Sequence, residues 1–530
     1  MRPLYLEEVA EIFILDHENA VAFDKEERLF IPEEVLTYLP GLVTKVSVVI
    51  DDKESFRKKE SATEIRFAHY SIKEYLSSTR ITQQFFSTRE QTAGLHISES
   101  CLAYHVQLSE SILATEESLR QYALWEYVAR FLVAHLEEIG VESWTASVRS
   151  RATRAFTAQS QSLLNMVRIR DPDHNEEHWH RTSDKLAKPL YYTASMNAIK
   201  LTSLLIDGGA DVNDLSSAGY YGTALQAAVC WGHKAIIKLL LENGAEVNTQ
   251  GGFYGNALQA AAALKGCKEL VPLFLKKGAD VNSQGGHYGN ALQGAAHAGE
   301  QEIVRLLLDN GADVNAPGGL FGNALQAAAD CEYREIVELL LSNGANVNAK
   351  GGDFGTALQA AAYDGDSDMV QLLLNNGADV NAQEGEYGSA LQTAVQAGEQ
   401  GIVRLLLHKG ADVNSQGGGF GTALQGAAYE GRWEITQMLL HSGADIYAKG
   451  GRFGNSLQAA IAEDKLDIAE ILLALGASVD SPGPEWEQLL ARLDKDLDDF
   501  RIERLRKYQA SPDGYIALRR RELEKEDESS

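Results

Sequence analysis

Apolar and polar positions along the chain fall into a unit that returns about every thirty-three residues between Pro189 and Asp480. The stretch from Gly355 to Gly388 shows its parts. Ala357-Leu358-Gln359-Ala360-Ala361-Ala362 is a run with little side-chain bulk, ended by Gly365. Met369, Val370, Leu372, Leu373 and Leu374 then make an apolar stripe at helical spacing. Gly377, after Asn375 and Asn376, stands where a left-handed residue closes a helix. Ala378-Asp379-Val380-Asn381 and a glycine-rich stretch lead out to a tight turn. The pattern predicts a helix, a turn, a second helix and a protruding finger. Such a unit cannot bury its apolar faces alone, so neighbouring copies must supply the core.

Two markers hold this period independently. Gly-Ala recurs at Gly209, Gly244, Gly278, Gly311, Gly344, Gly377, Gly410, Gly443 and Gly476. Gly-[Asn/Thr/Ser]-[Ala/Ser]-Leu-Gln opens at Gly222, Gly255, Gly289, Gly322, Gly355, Gly388, Gly421 and Gly454. Thr356 precedes Gln359 by three, the spacing of a capping box in which the cap and the Gln each satisfy an unpaired backbone donor. Asn256, Asn290 and Asn323 hold the cap position elsewhere, and Asn serves equally well there.

Through Leu-Leu-Leu-x-x-Gly-Ala-Asp-Val-Asn and the Ala-rich first helix, residues 188–480 resemble the ankyrin repeat, in nine copies. The resemblance implies a mainly α protein, an ankyrin-repeat α-solenoid that binds other proteins. The family's usual Thr-Pro-Leu-His is replaced by Asn/Thr-Ala-Leu-Gln, so its Thr–His hydrogen bonds are not carried over; the capping box is the expected substitute. An aromatic precedes the marker glycine at Tyr221, Tyr254, Tyr288, Phe321, Phe354, Tyr387, Phe420 and Phe453. One residue type repeated eight times reads as structural packing of each finger's base rather than as a ligand-stacking ladder. The position before it varies freely: Tyr220, Phe253, His287, Leu320, Asp353, Glu386, Gly419 and Arg452. Ankyrin proteins bind partners with these fingertips and with the end of the first helix. The matching helix positions are Trp231, His297, Asp330, Tyr363, Asp364, Gln396, Tyr429 and Glu430. From these, Tyr220, Phe253, His287, Leu320, Asp353, Glu386, Arg452, Trp231, Tyr363 and Tyr429 are the partner-binding candidates; drift on an unselected surface is the plainer reading of the same row.

Residues 1–165 carry no repeat. Helical spacing in Leu4–Phe13, Pro32–Leu39, Ser71–Leu76 and Tyr122–Leu136, with a strand at Val46–Ile50, predicts a mainly helical domain. Arg2-Pro3-Leu4-Tyr5-Leu6-Glu7-Glu8, Pro32-Glu33-Glu34-Val35-Leu36 and Gly41-Leu42-Val43 resemble the segment that follows the nucleotide-binding (NACHT) module of fungal NOD-like receptors. Ile65 to Leu76 is similar to the winged-helix-like element of the same proteins, and Cys101-Leu102-Ala103-Tyr104 and Tyr127 to Phe131 continue in order. In that family, ankyrin arrays form the sensing end. A P-loop needs Gly-Lys-[Ser/Thr], and Gly-Lys occurs nowhere here, so ATP-driven switching is not assigned. The expectation is an adaptor lacking the nucleotide module, or one part of a longer signalling NTPase; a regulatory scaffold of a biosynthetic or transcriptional pathway is the alternative.

The net charge of -27 argues against nucleic acid, which demands a surface rich in Lys and Arg. None of the four cysteines stands in a CxxC pair, which fits a reducing compartment. Without a leader-like or membrane-length apolar run, the expected setting is cytoplasmic, with the nucleus open. His174, His178 and His180 with Glu176 and Glu177 form the one dense set of metal-ligand types; their place after Arg170-Asp171-Pro172-Asp173 reads instead as a polar linker over 166–187. No catalytic, cofactor or metal residue is expected. Over 481–530, Trp486, Leu489, Leu490 and Leu493 suggest a charged helical cap, with Glu524–Ser530 disordered.

Overall fold

The computed structural model describes residues 43–49, 61–67, 90–139, 141–158, 160–173, 182–215, 219–463 and 465–477. The motifs at residues 2–8, 32–36 and 68–76, the His174/His178/His180 set and the cap and tail beyond residue 480 lie outside them. The chain divides into two compact units, residues 1–261 and 262–530, the division falling inside one repeat helix.

In the first unit, strand β1 (Val43–Val49) pairs antiparallel with β2 (Ser61–Phe67), Val43 opposite Phe67 and Val46 opposite Glu64. The strand expected at Val46–Ile50 thus begins three residues earlier, and the Ile65 end of the winged-helix-like motif is strand. Five helices follow: α1 (Glu90–Ser111), α2 (Glu116–Gln121), α3 (Ala123–Glu138), α4 (Ala146–Ala155) and α5 (Gln161–Ile169). Their starts are written in the sequence. Thr115 and Ser118 close a capping box over α2, whose first turn carries Glu116 and Glu117 toward the positive end of the helix. Thr145 and Ser160 cap α4 and α5 through their hydroxyls.

These helices pack around Trp125, Tyr104, Leu102, Leu132 and Leu136, all fully buried. A buried indole needs an acceptor. Trp125 Nε1 donates to His105 Nδ1 at 3.0 Å, and because indole is a donor only, His105 must carry its proton on Nε2, which donates to the Ser162 carbonyl at 2.9 Å. Burial pushes the His105 pKa down to about 4, so the ring is neutral. Helix α5 runs through the start of the stretch assigned to a linker: Met166, Val167 and Ile169 are buried, and Arg168 Nε donates to the Ala114 carbonyl at 3.0 Å. Apolar residues at helical spacing, rather than the following Asp and Pro, decide where that helix ends.

The same core continues into the first repeats, α6 (Pro189–Ser195) with α7 (Ile199–Asp207) and α8 (Ala224–Cys230) with α9 (Lys234–Glu242), through Tyr191, Tyr192, Leu201 and Ala227. Lys200 ties the two parts of this unit together by donating from Nζ to the carbonyls of Glu137 and Ile139 at the end of α3. Helix α10 (Ala257–Ala263) carries the division between units.

In the second unit, α11 (Leu270–Lys276) completes that repeat. Six helix pairs follow, the fold expected from the period: α12 (Ala291–Ala298) and α13 (Gln301–Asp309), α14 (Ala324–Asp330) and α15 (Arg334–Ser342), α16 (Ala357–Asp364) and α17 (Ser367–Asn375), α18 (Ala390–Ala397) and α19 (Gln400–His408), α20 (Ala423–Glu430) and α21 (Trp433–His441), and α22 (Ser456–Ala462) and α23 (Leu466–Ala474). Helices this short are not stable alone, and packing must hold them. The first helix of each pair is buried nearly all round, while the second buries one stripe, as Met369, Val370 and Leu373 do in α17. Each such side chain contributes about 2 kcal/mol before conformational entropy is subtracted.

Two side-chain columns stitch successive repeats. Asn282 Nδ2 donates to the Gly311 carbonyl at 2.9 Å while its Oδ1 accepts from Asp313 N at 2.7 Å, and Asn315, Asn348, Asn381 and Asn414 repeat both bonds one repeat onward. The column ends at Tyr447, which is 58% exposed. The second column is the Gln of the marker. Gln392 Oε1 accepts from Ser389 N at 2.8 Å, closing the capping box, and Nε2 donates to the carbonyls of Gly417 at 2.8 Å and Gly421 at 2.9 Å in the next finger. One amide therefore caps its own helix and latches its neighbour.

The box closes at Thr223, Ser389 and Thr422 but not in every repeat. At Thr356, Asn290 and Asn323 the cap accepts from the Gln backbone N–H, yet the return bond is not made. Cap φ is -80°, -106° and -123° in the closed boxes, and -136°, -150° and -158° in the open ones, which turns the cap N–H away. Thr356 compensates by giving its hydroxyl to Gln359 Oε1 at 2.8 Å. Asn has no hydroxyl to give, and Oε1 of Gln293 and Gln326 stays buried without a partner. Asn is therefore not the equal of Thr at this cap.

Candidate interaction surface

From Gly251 onward each finger is a five-residue hairpin closed by a backbone bond, as in Gly351 N to the Gly355 carbonyl at 2.9 Å, whereas the first is a four-residue turn in which Gly222 N donates to the Gly219 carbonyl at 3.0 Å. Successive fingers touch backbone to backbone. Gly352, with φ +65°, lies so close that a Cβ there would sit 2.4 Å from the Phe321 carbonyl carbon, so only glycine fits. In the second unit Leu320 N donates to the His287 carbonyl at 3.0 Å, Gly419 N to the Glu386 carbonyl at 3.3 Å and Arg452 N to the Gly419 carbonyl at 3.1 Å. In the first unit Phe253 N donates to the Tyr220 carbonyl at 2.9 Å. At these four tips the main chain makes the finger-to-finger bond whatever the side chain.

Behind the tips the rings of the aromatic row stack in pairs, in the second unit as a ladder broken at alternate steps. Ring centroids of Tyr288 and Phe321 are 6.3 Å apart and stacked, Phe354 and Tyr387 6.0 Å, Phe420 and Phe453 6.1 Å; in the first unit Tyr221 and Tyr254 stand 6.3 Å apart. The geometry is that of finger bases packed on one another.

The ten candidates do not share one environment. Leu320, Asp353, Glu386 and Arg452 are exposed in the second unit, and His287 is half-buried against Tyr288. In the first unit Tyr220 is exposed but stacks on the half-buried Phe253 at 5.3 Å. Trp231 is exposed beside Tyr221 and lines, with Arg130, Arg170, Met196 and His233, a cleft of about 570 Å³. Tyr363 and Tyr429 insert between ladder rings, as does His297: Tyr363 lies 5.2 Å from Phe354 and 5.7 Å from Tyr387, Tyr429 5.0 Å from Phe420 and 4.7 Å from Phe453. Arg452 spreads its guanidinium over Phe420, Tyr429 and Phe453 at 4.7, 5.2 and 4.9 Å. A fingertip and a helix-end candidate therefore meet in a contact that their sequence positions did not announce.

Acidic side chains gather at the middle repeats. Burial, then the charges of Asp330, Glu332 and Asp366, push the Asp364 carboxyl up to about 7, and its Oδ2 is buried without a partner. Among the described residues no group of His, Cys, Asp and Glu is arranged to hold a metal ion, and no helix is long and apolar enough to cross a membrane.

Sequence reasoning missed the first repeat's variant of the latch. Tyr191 occupies the register of the Gln; its hydroxyl accepts from Tyr221 N at 3.2 Å and donates to Asp173 at 2.5 Å, and Asp173 also accepts from Tyr220 N at 3.1 Å. The signal available was that Tyr191 stands one residue after the Leu of its repeat, as every Gln does.

A model of ankyrin repeats matches residues 159–251, 257–351 and 350–417, and a single-repeat model matches 421–451, together more than half of the chain. The azaphilone pigments biosynthesis cluster protein L of Monascus ruber is 29% identical over 264 residues, 46% of this chain and 53% of that protein. An ankyrin repeat protein of fowlpox virus (strain NVSL) is 30% identical over 125 residues, 23% of this chain and 26% of its own. The chain thus spans about half the length of the first relative and a quarter of the second. With these matches over more than half of its length, the chain belongs to the ankyrin-repeat family.

Proposed function

We propose that the chain is a protein-recognition module that reads its partners with the fingertip row and the adjoining ends of the first helices, without catalysis of its own, in the cytoplasm or nucleus. Ankyrin repeats mark a protein–protein interaction module in general. The observation that carries the reading here is a frame locked by backbone and glycine contacts whose exposed tip side chains change from repeat to repeat. Replacing Leu320, Asp353 and Arg452 together by Ser tests it. Partner capture from native extract should be lost while thermal unfolding falls no further than in Arg452→Ser alone, which removes the guanidinium from its three rings; undiminished capture overturns the reading.

Two settings follow from separate observations. The motif order over residues 2–131 supports an adaptor related to NOD-like receptors, with a helical domain over 1–165 joined through 166–187 to repeats over 188–480. The similarity to a protein named for a pigment biosynthesis cluster supports a regulatory scaffold in a biosynthetic pathway. Identification of the captured partner separates them.

A further inference from the structure

The residue nine positions after each ladder ring alternates along the second unit: His297, Asp330, Tyr363, Gln396 and Tyr429. Every second repeat therefore inserts a third ring between two ladder rings. Three clusters result, spaced sixty-six residues apart: Tyr288–His297–Phe321, Phe354–Tyr363–Tyr387 and Phe420–Tyr429–Phe453. The last one shows what such a cluster holds. Arg452, on the finger of Phe453, lays its guanidinium within 5.2 Å of all three ring centres. The quadrupoles of three rings, each negative at its face, attract one cation more strongly than any one of them.

The middle cluster has the same three-ring frame and the opposite charge at its tip. Glu386 stands where Arg452 stands, and Asp353 where Gly419 stands. Both carboxylates lie close enough to Tyr387 to raise its pKa, after burial and Tyr363. Asp364, with its buried unpartnered Oδ2, follows Tyr363 directly. Among the described residues no cation lies over Phe354, Tyr363 or Tyr387, and Tyr363 is 41% exposed. The chain fills the last cluster itself and leaves the middle one open, rimmed with negative charge.

Resting on the reading of the fingertip row as a partner-binding surface, we infer that the Phe354–Tyr363–Tyr387 cluster, with Glu386 and Asp353, is a receptor for an arginine side chain of a protein partner. Arginine is favoured over lysine because a planar guanidinium stacks on rings and still offers its edge donors to two carboxylates, which a hydrated ammonium does not match. The cluster with Arg452 is the same site with its occupant supplied in cis.

The probes are a fluorescein-labelled peptide of Arg-Gly-Gly repeats and its Lys-Gly-Gly counterpart, titrated with the full chain and read by fluorescence anisotropy at physiological salt. The wild type should bind the Arg peptide several-fold more tightly than the Lys peptide. Tyr363→Ala should weaken Arg-peptide binding about tenfold. Tyr363→Phe, which keeps the ring, should bind as the wild type does and guards against a folding defect. Glu386→Arg should also abolish the preference, by placing a cis occupant where Arg452 sits two repeats later, whereas Tyr429→Ala should leave it unchanged. Equal binding of the Arg and Lys peptides, or an indifferent Tyr363→Ala, overturns the inference and leaves only attraction to a chain of charge -27. If native partner capture still depends on Leu320, Asp353 and Arg452 in that case, the arginine site alone has failed; if that dependence is missing too, the recognition surface itself has failed.

Discussion

Truncation of one latch, Gln392→Ala, tests the proposition that a single amide holds both a helix cap and the neighbouring finger. Gln392 is 3% exposed, so the groups it leaves behind are not solvated for free. Ser389 N loses its acceptor at 2.8 Å and the Gly417 carbonyl loses its donor at 2.8 Å. The Gly421 carbonyl keeps one partner, because Gly417 N still donates to it at 2.8 Å. Two orphaned groups at about 1–3 kcal/mol each, one of them also a helix cap, put the loss at about 2–6 kcal/mol. Gln293→Ala is the internal control. Its Nε2 makes one bond, to the Ala316 carbonyl at 3.0 Å, and its Oε1 is already unpaired, so the loss should be about 1 kcal/mol. Repeat arrays open locally, so native-state hydrogen exchange is the primary assay and urea unfolding the secondary one. The Gly417 amide should exchange about 30-fold faster or more in Gln392→Ala, the factor that 2 kcal/mol implies. Equal effects of the two substitutions, or a loss below about 0.5 kcal/mol at Gln392, would refute the double role.

Other outcomes follow from the same geometry. Gly352→Ala should cost several times more stability than Gly377→Ala in thermal unfolding: both glycines have positive φ, but a Cβ at Gly352 meets the Phe321 backbone while one at Gly377 meets nothing within 4 Å. Asn323→Thr should stabilise by about 1 kcal/mol in urea unfolding, by offering Gln326 Oε1 the hydroxyl that Gln359 already receives from Thr356. His105, neutral in the fold with a pKa of about 4, supports stability that is whole above its unfolded pKa near 6.5 and is lost as pH falls through about 4. That loss is at most about 3 kcal/mol, and thermal unfolding of His105→Gln between pH 7 and 4 should lack it. Asp364 has the opposite sign: its raised pKa of about 7 means the folded chain holds a proton the unfolded one has shed, so stability falls as pH rises from about 4 to 7. Asp364→Asn should be more stable than the wild type at pH 8 and show no such advantage at pH 4.

The repeat was legible because its parts are local. Gly377 closes a helix within its own repeat, Met369, Val370 and Leu373 form one face of one helix, and no partner elsewhere is needed to read either. The capping box was legible as a spacing, but whether it closes was not, since that depends on a cap φ that differs between Ser389 and Asn323 under the same motif. The latch was invisible for a related reason. Gln392 reaches carbonyls twenty-five and twenty-nine residues onward, and a strictly periodic sequence cannot separate a bond inside a repeat from one to the next. Tyr191 is the exception that exposes it: the first repeat replaces the Gln, and its hydroxyl still reaches the next finger at Tyr221 N.

The candidate surface divides along the same line. That Leu320, Asp353 and Glu386 are exposed follows from the finger pattern, but that Arg452 is engaged by Phe420, Tyr429 and Phe453 does not, because the three rings come from three segments that only stacking brings together. The fingertip row is able to vary because its hydrogen bonds run through the main chain: Leu320 N and Arg452 N bond the preceding finger whatever side chain they carry. A side chain relieved of folding is a position where substitution costs little, so single replacements at Leu320 or Asp353 should change stability by less than about 0.5 kcal/mol in urea unfolding. A glycine two residues before a ladder ring, such as Gly352, tolerates none of this, because its missing Cβ is what lets one finger rest on the next. Stability and recognition thus occupy neighbouring positions of one turn. The repeat can exchange its contacts with a partner without disturbing the packing that presents them.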